Sequence, residues 1–396
     1  MEIKRDILAK LLEDLHEKYI TILIGARQVG KTFLLKKIQA EAKKRRLKTA
    51  FFDLEQSDTL AEFNKTDAEI ANMMARAGDV VFIDEFHYLK NASRIFKAIY
   101  DKGTKVKIFA SGSSSLEIHK HLKESLVGRK LVYRIYPCSL DEIGQAIKDN
   151  TFDYYCQFGG MPGLIHSESE EKKKLLLTDI LQSYLLKDIK SLIKEENIRA
   201  FNNLLYLLAQ NQGSITSIAS LAGEVGLTAK TIDSYLELLA QTYVNFPLHS
   251  FNLNYGNELK KSKKYYLYDL GVRNVLLKNF AALKERKDAG SIIESFVFLE
   301  LQKLLSPETE LRFWRLKDGT EVDFIWIKNQ KPYPIEVKMT CKPGEIPRGI
   351  TAFINRYPQV SEAFIINRGN EGKASYRDTI IHYVKFEETR LIPEKI

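Results

Sequence analysis

The octapeptide Gly25-Ala26-Arg27-Gln28-Val29-Gly30-Lys31-Thr32 constrains the fold more than any other part of this 396-residue chain. It fits G-x-x-x-x-G-K-[ST] in full, follows the apolar run Tyr19–Ile24 and opens the stretch Thr32–Arg45. A strand, a glycine-rich loop and a helix in that order form a phosphate cradle. The glycines let successive backbone N–H groups turn inward, and the helix N-terminus adds a favourable dipole. In such a loop Lys31 reaches the β- and γ-phosphates of ATP, and the Thr32 hydroxyl ligates Mg²⁺.

The surrounding pattern agrees. Short apolar runs recur at Thr49–Leu54, Val80–Ile83, Val106–Ala110 and Leu131–Tyr136, separated by helix-like stretches at Asp67–Ala77, Ala92–Tyr100 and Ser114–Lys123. That alternation predicts a parallel sheet covered by helices. Val80–Ile83 runs into Asp84 and Glu85. Acids at the end of a buried strand need a partner, and a nearby Mg²⁺ supplies one. Asp84 is the expected metal-side carboxylate, and Glu85 is expected to orient and deprotonate the attacking water. Ser111 and Ser113, after the strand Val106–Ala110, are candidates to hold that water. Arg129, in SLVGRK, is a candidate arginine finger across a subunit boundary.

Charge bears on partners. The net charge of +9 is uneven: residues 1–134 sum to +8, 135–250 to −5, 251–290 to +5 and 291–396 to +1. A basic balance suits a polyanion such as nucleic acid. The three cysteines, Cys138, Cys156 and Cys341, form no CxxC and exclude a disulfide framework or a cysteine-rich zinc site. No run approaches the ~18 apolar residues of a membrane helix. The charged N-terminal stretch does not read as a signal peptide, so a cytoplasmic protein is expected.

From about residue 138 to 210 leucine-rich helical periodicity dominates, interrupted by the turn signals of FGGMPG (158–163). SITSIASLAGEV (214–225) and TAKTIDSYLELLAQ (228–241), joined at Gly226-Leu227, read as a helix-turn-helix. Tyr243–Phe251 and Lys264–Tyr268 are candidate wing strands. Lys230 and Thr231 lead the second helix, and Lys260, Lys261, Lys263 and Lys264 sit on or beside the wing as candidate phosphate contacts. Asp233 and Glu237 on the same helix would repel a phosphate. Beyond 290 the order is helix (Ile292–Leu305), strands Leu311–Leu316, Glu321–Ile327 and Tyr333–Met339, helix Gly349–Tyr357 and strand Glu362–Asn367. The charged stretch KERKDAG (284–290) is the expected boundary before this last domain.

With GARQVGKT, VVFIDEFHYL, KIFASGSSS and SLVGRK in order, the first ~136 residues resemble the prokaryotic AAA+ ATPases of the archaeal-ATPase type. The likeness continues through YPCSLDEI, FGGMPGLI, YYLYDLGVRN, GTEVDFIW and PIEVK. Over nearly the whole chain it resembles the family joining such a module to a C-terminal domain of unknown function similar to PD-(D/E)XK nucleases. Ala26 stands where proline is frequent in that family and Cys138 where leucine is frequent; neither removes a ligand. The resemblance implies an α/β protein with an AAA+ P-loop parallel sheet (1–136), a helical lid (137–210), a winged helix-turn-helix (211–284) and a restriction-endonuclease-like α/β domain (285–396). It implies ATP hydrolysis with Mg²⁺. For the last domain it implies Asp323 and Glu336 about a second Mg²⁺ or Mn²⁺, Glu294 as an additional acid and Lys338 to position or activate water. Glu336 and Lys338, two apart on a strand, share one face. The expected function is an ATPase acting on nucleic acid, DNA favoured over RNA, with a homo-oligomer as a candidate assembly. The alternative is a nucleotide-dependent switch whose C-terminal modules bind protein and do not cleave.

Overall fold

The computed structural model of the chain describes residues 2–113, 126–167, 169–183, 193, 197–252 and 263–396. The expected helix Ser114–Lys123 and the candidates Lys260 and Lys261 lie outside the described residues, as does the side chain of Ser113. The chain divides into two compact units: 1–138 with 237–244, and 139–236 with 245–396.

The first unit is built on five strands, β1 (Ile20–Gly25), β2 (Thr49–Asp53), β3 (Val80–Asp84), β4 (Lys107–Ser113) and β5 (Lys130–Arg134). They form a parallel sheet in the order β2-β3-β4-β1-β5. Parallel strands need long crossovers, which the helices Lys31–Lys44, Asp67–Ala77 and Ala92–Asp101 supply. Every residue of β1 and β3 is buried, which is why both read as mostly apolar runs, whereas the edge strand β2 is only half-buried. Thr66 and Glu69 form a reciprocal capping box that starts the helix Asp67–Ala77. The order places β4 between the P-loop strand and the strand ending in Asp84. All the C-terminal strand ends therefore converge on one edge.

In the second unit the helix Leu270–Leu276 docks onto the FGGMPG turn. Asp269 caps it by accepting from Val272 N (3.1 Å), and it also accepts from Gly160 N (2.7 Å). Asn274 donates to the carbonyls of Cys156 and Gln157, both at 2.9 Å. Burial pushes the Asp269 carboxyl up to about 6, against the pull of those backbone donors. Here YDLGVRN is a packing motif. The charged run 284–290 is also packed: Arg286 is buried and donates to Asn274, Asn279 and Asp288, and Asp288 also receives the buried Arg273.

The helices Ile218–Val225 and Ala229–Gln241 are joined through Gly226, which holds a left-handed φ of 74°. A small antiparallel sheet orders β6 (Ile215–Thr216), β8 (Lys263–Leu267) and β7 (Asn245–Leu248) as β6-β8-β7. The last sheet is mixed, six-stranded and ordered β13-β14-β12-β11-β10-β9. Its strands are β9 (Thr309–Arg315), β10 (Glu321–Lys328), β11 (Lys331–Val337), β12 (Glu362–Asn367), β13 (Gly372–Tyr376) and β14 (Thr379–Lys385). A bulge between Val322 and Ile325 shifts β10 against β9 and falls on Asp323. Phe251, Trp314, Ile350 and Phe353 pack one face. Among the described residues no helix is long and apolar enough to cross a membrane.

Candidate functional site

β1 ends at Gly25, where a Cβ would lie 2.3 Å from the Ile135 carbonyl oxygen, so only glycine fits this close approach. The chain then turns through Gln28 (φ 61°) and Gly30 (φ 98°) into the helix Lys31–Lys44. Ala26 and Val29 are buried beneath the turn. Left-handed residues there let the first helical N–H groups face the loop's concavity, with no partner inside the helix. Arg5, which no motif singles out, braces the loop from outside: it donates to Val29 O at 2.8 Å and to Tyr136 O at 2.7 Å.

Lys31 is buried and folded back on the cradle, donating to Gly25 O (3.1 Å) and Ala26 O (2.9 Å). Burial lowers its pKa, and the nearby Glu85 and Asp84 pull it back up. Asp84 ends β3 almost fully buried. It accepts a short hydrogen bond from Ser111 Oγ and another from the Thr32 side chain. Burial raises its pKa, those two donors lower it, and the neighbouring Glu85 and Asp53 raise it further. Asp53 is a second residue that the sequence did not single out. Parallel pairing sets it directly opposite Asp84.

Glu85 follows in the left-handed region (φ 50°, ψ 49°), a strained conformation for a glutamate that swings its side chain out of line with the strand. Nδ1 of His87 lies 3.1 Å from its carboxylate. The fold thus gathers Lys31, Thr32, Asp84, Glu85 and Ser111 at one sheet edge. Thr32 and Asp84 offer two adjacent oxygens, enough for Mg²⁺, which takes one or two protein ligands and completes its shell with phosphate and water.

Arg129 is elsewhere. Its carbonyl accepts from Ile20 N, so it precedes β5 at the sheet edge opposite the P-loop, and its guanidinium pairs with Asp101 at 2.7 Å. It cannot reach the phosphate site of its own chain.

In the second unit Lys230 is exposed at the start of its helix. The Thr231 hydroxyl shares a 2.9 Å hydrogen bond with Thr228. Lys263 is half-buried. Lys264 corrects the expectation of a phosphate contact: only 1% exposed, it donates to Glu294 Oε1 at 3.0 Å and pairs with Glu321. Burial opposes its charge, but Glu294, Asp323 and Glu321 hold its pKa above the usual value.

The four C-terminal candidates lie close together. Tyr266 also donates to Glu294 Oε1 (2.6 Å), Asp323 Oδ2 accepts from Val337 N (2.8 Å) and Glu336 Oε1 accepts from Lys338 Nζ (2.6 Å). Burial raises the pKa of Glu294, Asp323 and Glu336. Yet among the described residues no three His, Cys, Asp or Glu side chains are grouped to hold a metal ion.

Comparison with known proteins gives matches along the chain. Residues 17–144 match the family model of an AAA domain. Residues 149–283 and 289–387 match two domains of unknown function, DUF8612 and DUF4143. An uncharacterized protein of Mycobacterium tuberculosis is 26% identical over 348 residues, covering 86% of this chain and 75% of its own. One of Methanocaldococcus jannaschii is 28% identical over 348 residues, covering 82% and 74%. Among solved structures, the replication initiator DnaA bound to AMPPCP and single-stranded DNA aligns over 60% of this chain and 86% of its own, with 17% identity and a TM-score of 0.34. The Pif1 helicase of Candida albicans covers 45% and 47%, with 12% identity and a TM-score of 0.27. This chain is an α/β protein whose residues 17–144 match an AAA domain and whose residues 289–387 match DUF4143.

Proposed function

We propose that the chain is a Mg²⁺-dependent ATP hydrolase whose AAA domain drives work on nucleic acid. One observation carries the hydrolytic reading: Lys31, Thr32, Asp84 and Ser111 meet at the C-terminal edge of the sheet, with Glu85 turned out beside them. When bound, Mg²⁺ would neutralise phosphate charge. Thr32 and Asp84 would hold it, Lys31 would exchange its two loop carbonyls for phosphate oxygens, and Ser111 would fix the Asp84 carboxylate. Glu85 would take a proton from the attacking water. Positioning and electrostatics of this kind supply most of phosphoryl-transfer catalysis. Around this core we propose a helical lid at 137–210, a winged helix at 211–284 and a nuclease-like module at 285–396.

Support for nucleic acid comes from the two-helix motif with Lys230 at its leading end, from Lys263 on the adjoining strand and from the basic balance of the chain. DNA-stimulated ATP turnover tests it. Duplex DNA is expected to raise the rate severalfold, and Lys230→Glu to weaken that stimulation while leaving the DNA-free rate unchanged. A rate indifferent to DNA and RNA would favour the second reading, a nucleotide-dependent switch that binds protein. The exposed Asp233 and Glu237 on the same helix and the burial of Lys264 are the observations on its side.

If Arg129 acts in catalysis, it acts on a neighbouring subunit. Its distance from its own phosphate loop and its tie to Asp101 leave no other route. Arg129→Ala and Lys31→Ala proteins, each weak alone, are expected to recover part of the activity when mixed, because one interface then holds both intact halves. Turnover per chain should rise with protein concentration. Absence of rescue with concentration-independent turnover would mark a monomer that hydrolyses alone.

A further inference from the structure

The C-terminal acids sit where the resemblance implies a divalent metal, and the residues present do not fit one. Glu294 Oε1 already takes two donors, Lys264 Nζ at 3.0 Å and Tyr266 OH at 2.6 Å. Glu321 pairs with the same ammonium. One oxygen of Asp323 is spent on Val337 N, and one of Glu336 on Lys338. The buried Glu336 Oε2 has no donor, but each of these carboxylates already serves an ammonium or a backbone N–H, and Mg²⁺ demands close to six oxygens in octahedral array. Lys264 itself is not free to leave. Its backbone is paired on both sides within the small sheet, to β6 and to β7, and its side chain is 98% buried. Gly213, whose added Cβ would lie 3.1 Å from Glu294 Oε1, closes the space from another side.

From these contacts we infer that Lys264 is a tethered counter-ion that takes the place of the metal, so the acid cluster is closed to Mg²⁺ and Mn²⁺. A fixed ammonium neutralises the carboxylates without a Lewis acid and repels any second cation among them. The cluster ties the small sheet to the helix Ala289–Lys303 and to β10, and the C-terminal domain does not cut phosphodiesters. The inference is independent of the ATPase reading, since Lys264 lies in the second unit and the phosphate loop in the first.

Mn²⁺ binding to the full chain, followed by electron paramagnetic resonance without nucleotide, tests it. Wild type, Asp323→Asn and Glu336→Gln are expected to bind Mn²⁺ with affinities within about twofold of one another. None should cleave plasmid or oligonucleotide substrates in Mn²⁺. Lys264→Met should gain one site at least tenfold tighter, lost again in Lys264→Met/Asp323→Asn. Wild-type Mn²⁺ binding, or Mn²⁺-dependent cleavage, that disappears in Asp323→Asn overturns the inference. A folded Lys264→Met that gains no site also overturns it. Should Lys264→Met not fold, the comparison of wild type with the two carboxylate variants still decides.

Discussion

Lys31→Ala is expected to abolish ATP hydrolysis and weaken nucleotide binding, while Glu85→Gln binds ATP as tightly as wild type and turns it over poorly. The two side chains touch different things. The Lys31 ammonium lies inside the cradle on Gly25 O and Ala26 O. Removing it takes away the charge that would meet the β- and γ-phosphates and leaves two loop carbonyls facing the same space without their donor. Both the ground and transition states lose it, so affinity falls together with rate; the loss of a preorganised group of this kind costs about 10²–10³-fold in turnover. Glu85 leaves β3 through a left-handed backbone, and its carboxylate lies 3.1 Å from His87 Nδ1. Its proposed work is on the water, and loss of a general base costs about 10²–10⁴-fold. Gln keeps the shape and removes the basicity. Fluorescent-nucleotide titration and phosphate release, run on both variants, separate the two roles. Wild-type turnover by Glu85→Gln would end the assignment of the base.

Much of this arrangement could be read from the chain because its signals are local. A strand buried on both faces shows itself as a short, mostly apolar run, and β1 and β3 do so. The start of the helix Asp67–Ala77 is written locally, because its cap, Thr66 with Glu69, lies within four residues of it. Lys264 shows what local signals miss. In KKSKKYYLYD four lysines among five residues look like one solvated patch, but alternate residues of β8 face opposite sides, and the partners Glu294 and Glu321 lie 30 and 57 residues away. Arg5 is invisible for the same reason. Its acceptors, Val29 O and Tyr136 O, are backbone atoms 24 and 131 residues distant, and a carbonyl carries no sequence signature. Asp53 joins Asp84 only through parallel pairing, which no residue type specifies. Past Asn367 the charged and polar make-up of β13, GKASY, hides a strand that exists because it pairs antiparallel with β14 at the sheet edge.

Gly271→Ala is expected to be among the most destabilising single-methyl changes in the chain, and Gly163→Ala, exposed at the end of the FGGMPG turn, among the least. A Cβ at Gly271 would stand 2.1 Å from the Phe158 carbonyl oxygen and 3.0 Å from Asp269 Oδ1. The first neighbour is backbone, fixed at the end of the helix Thr151–Phe158. The second is a buried carboxylate held by Gly160 N and Val272 N. Neither can give way without breaking a hydrogen bond. Relief therefore requires the helix Leu270–Leu276 to move off the FGGMPG turn, which would also pull Asn274 from the carbonyls of Cys156 and Gln157. Overpacking alone costs about 1–3 kcal/mol, and each buried polar group left unpaired about 1–3 kcal/mol more. At Gly163, inside the short helix Pro162–Ile165, an added Cβ meets nothing within 4 Å, and alanine stabilises the helix by restricting the unfolded chain. Thermal melting by circular dichroism should show Gly271→Ala several degrees below wild type or failing to accumulate, with Gly163→Ala at or slightly above it. Equal melting of the two variants would mean that the Asp269 motif does not lock the turn. The close approach of Gly271 to Phe158 would then have to be relieved by a shift the fold tolerates cheaply.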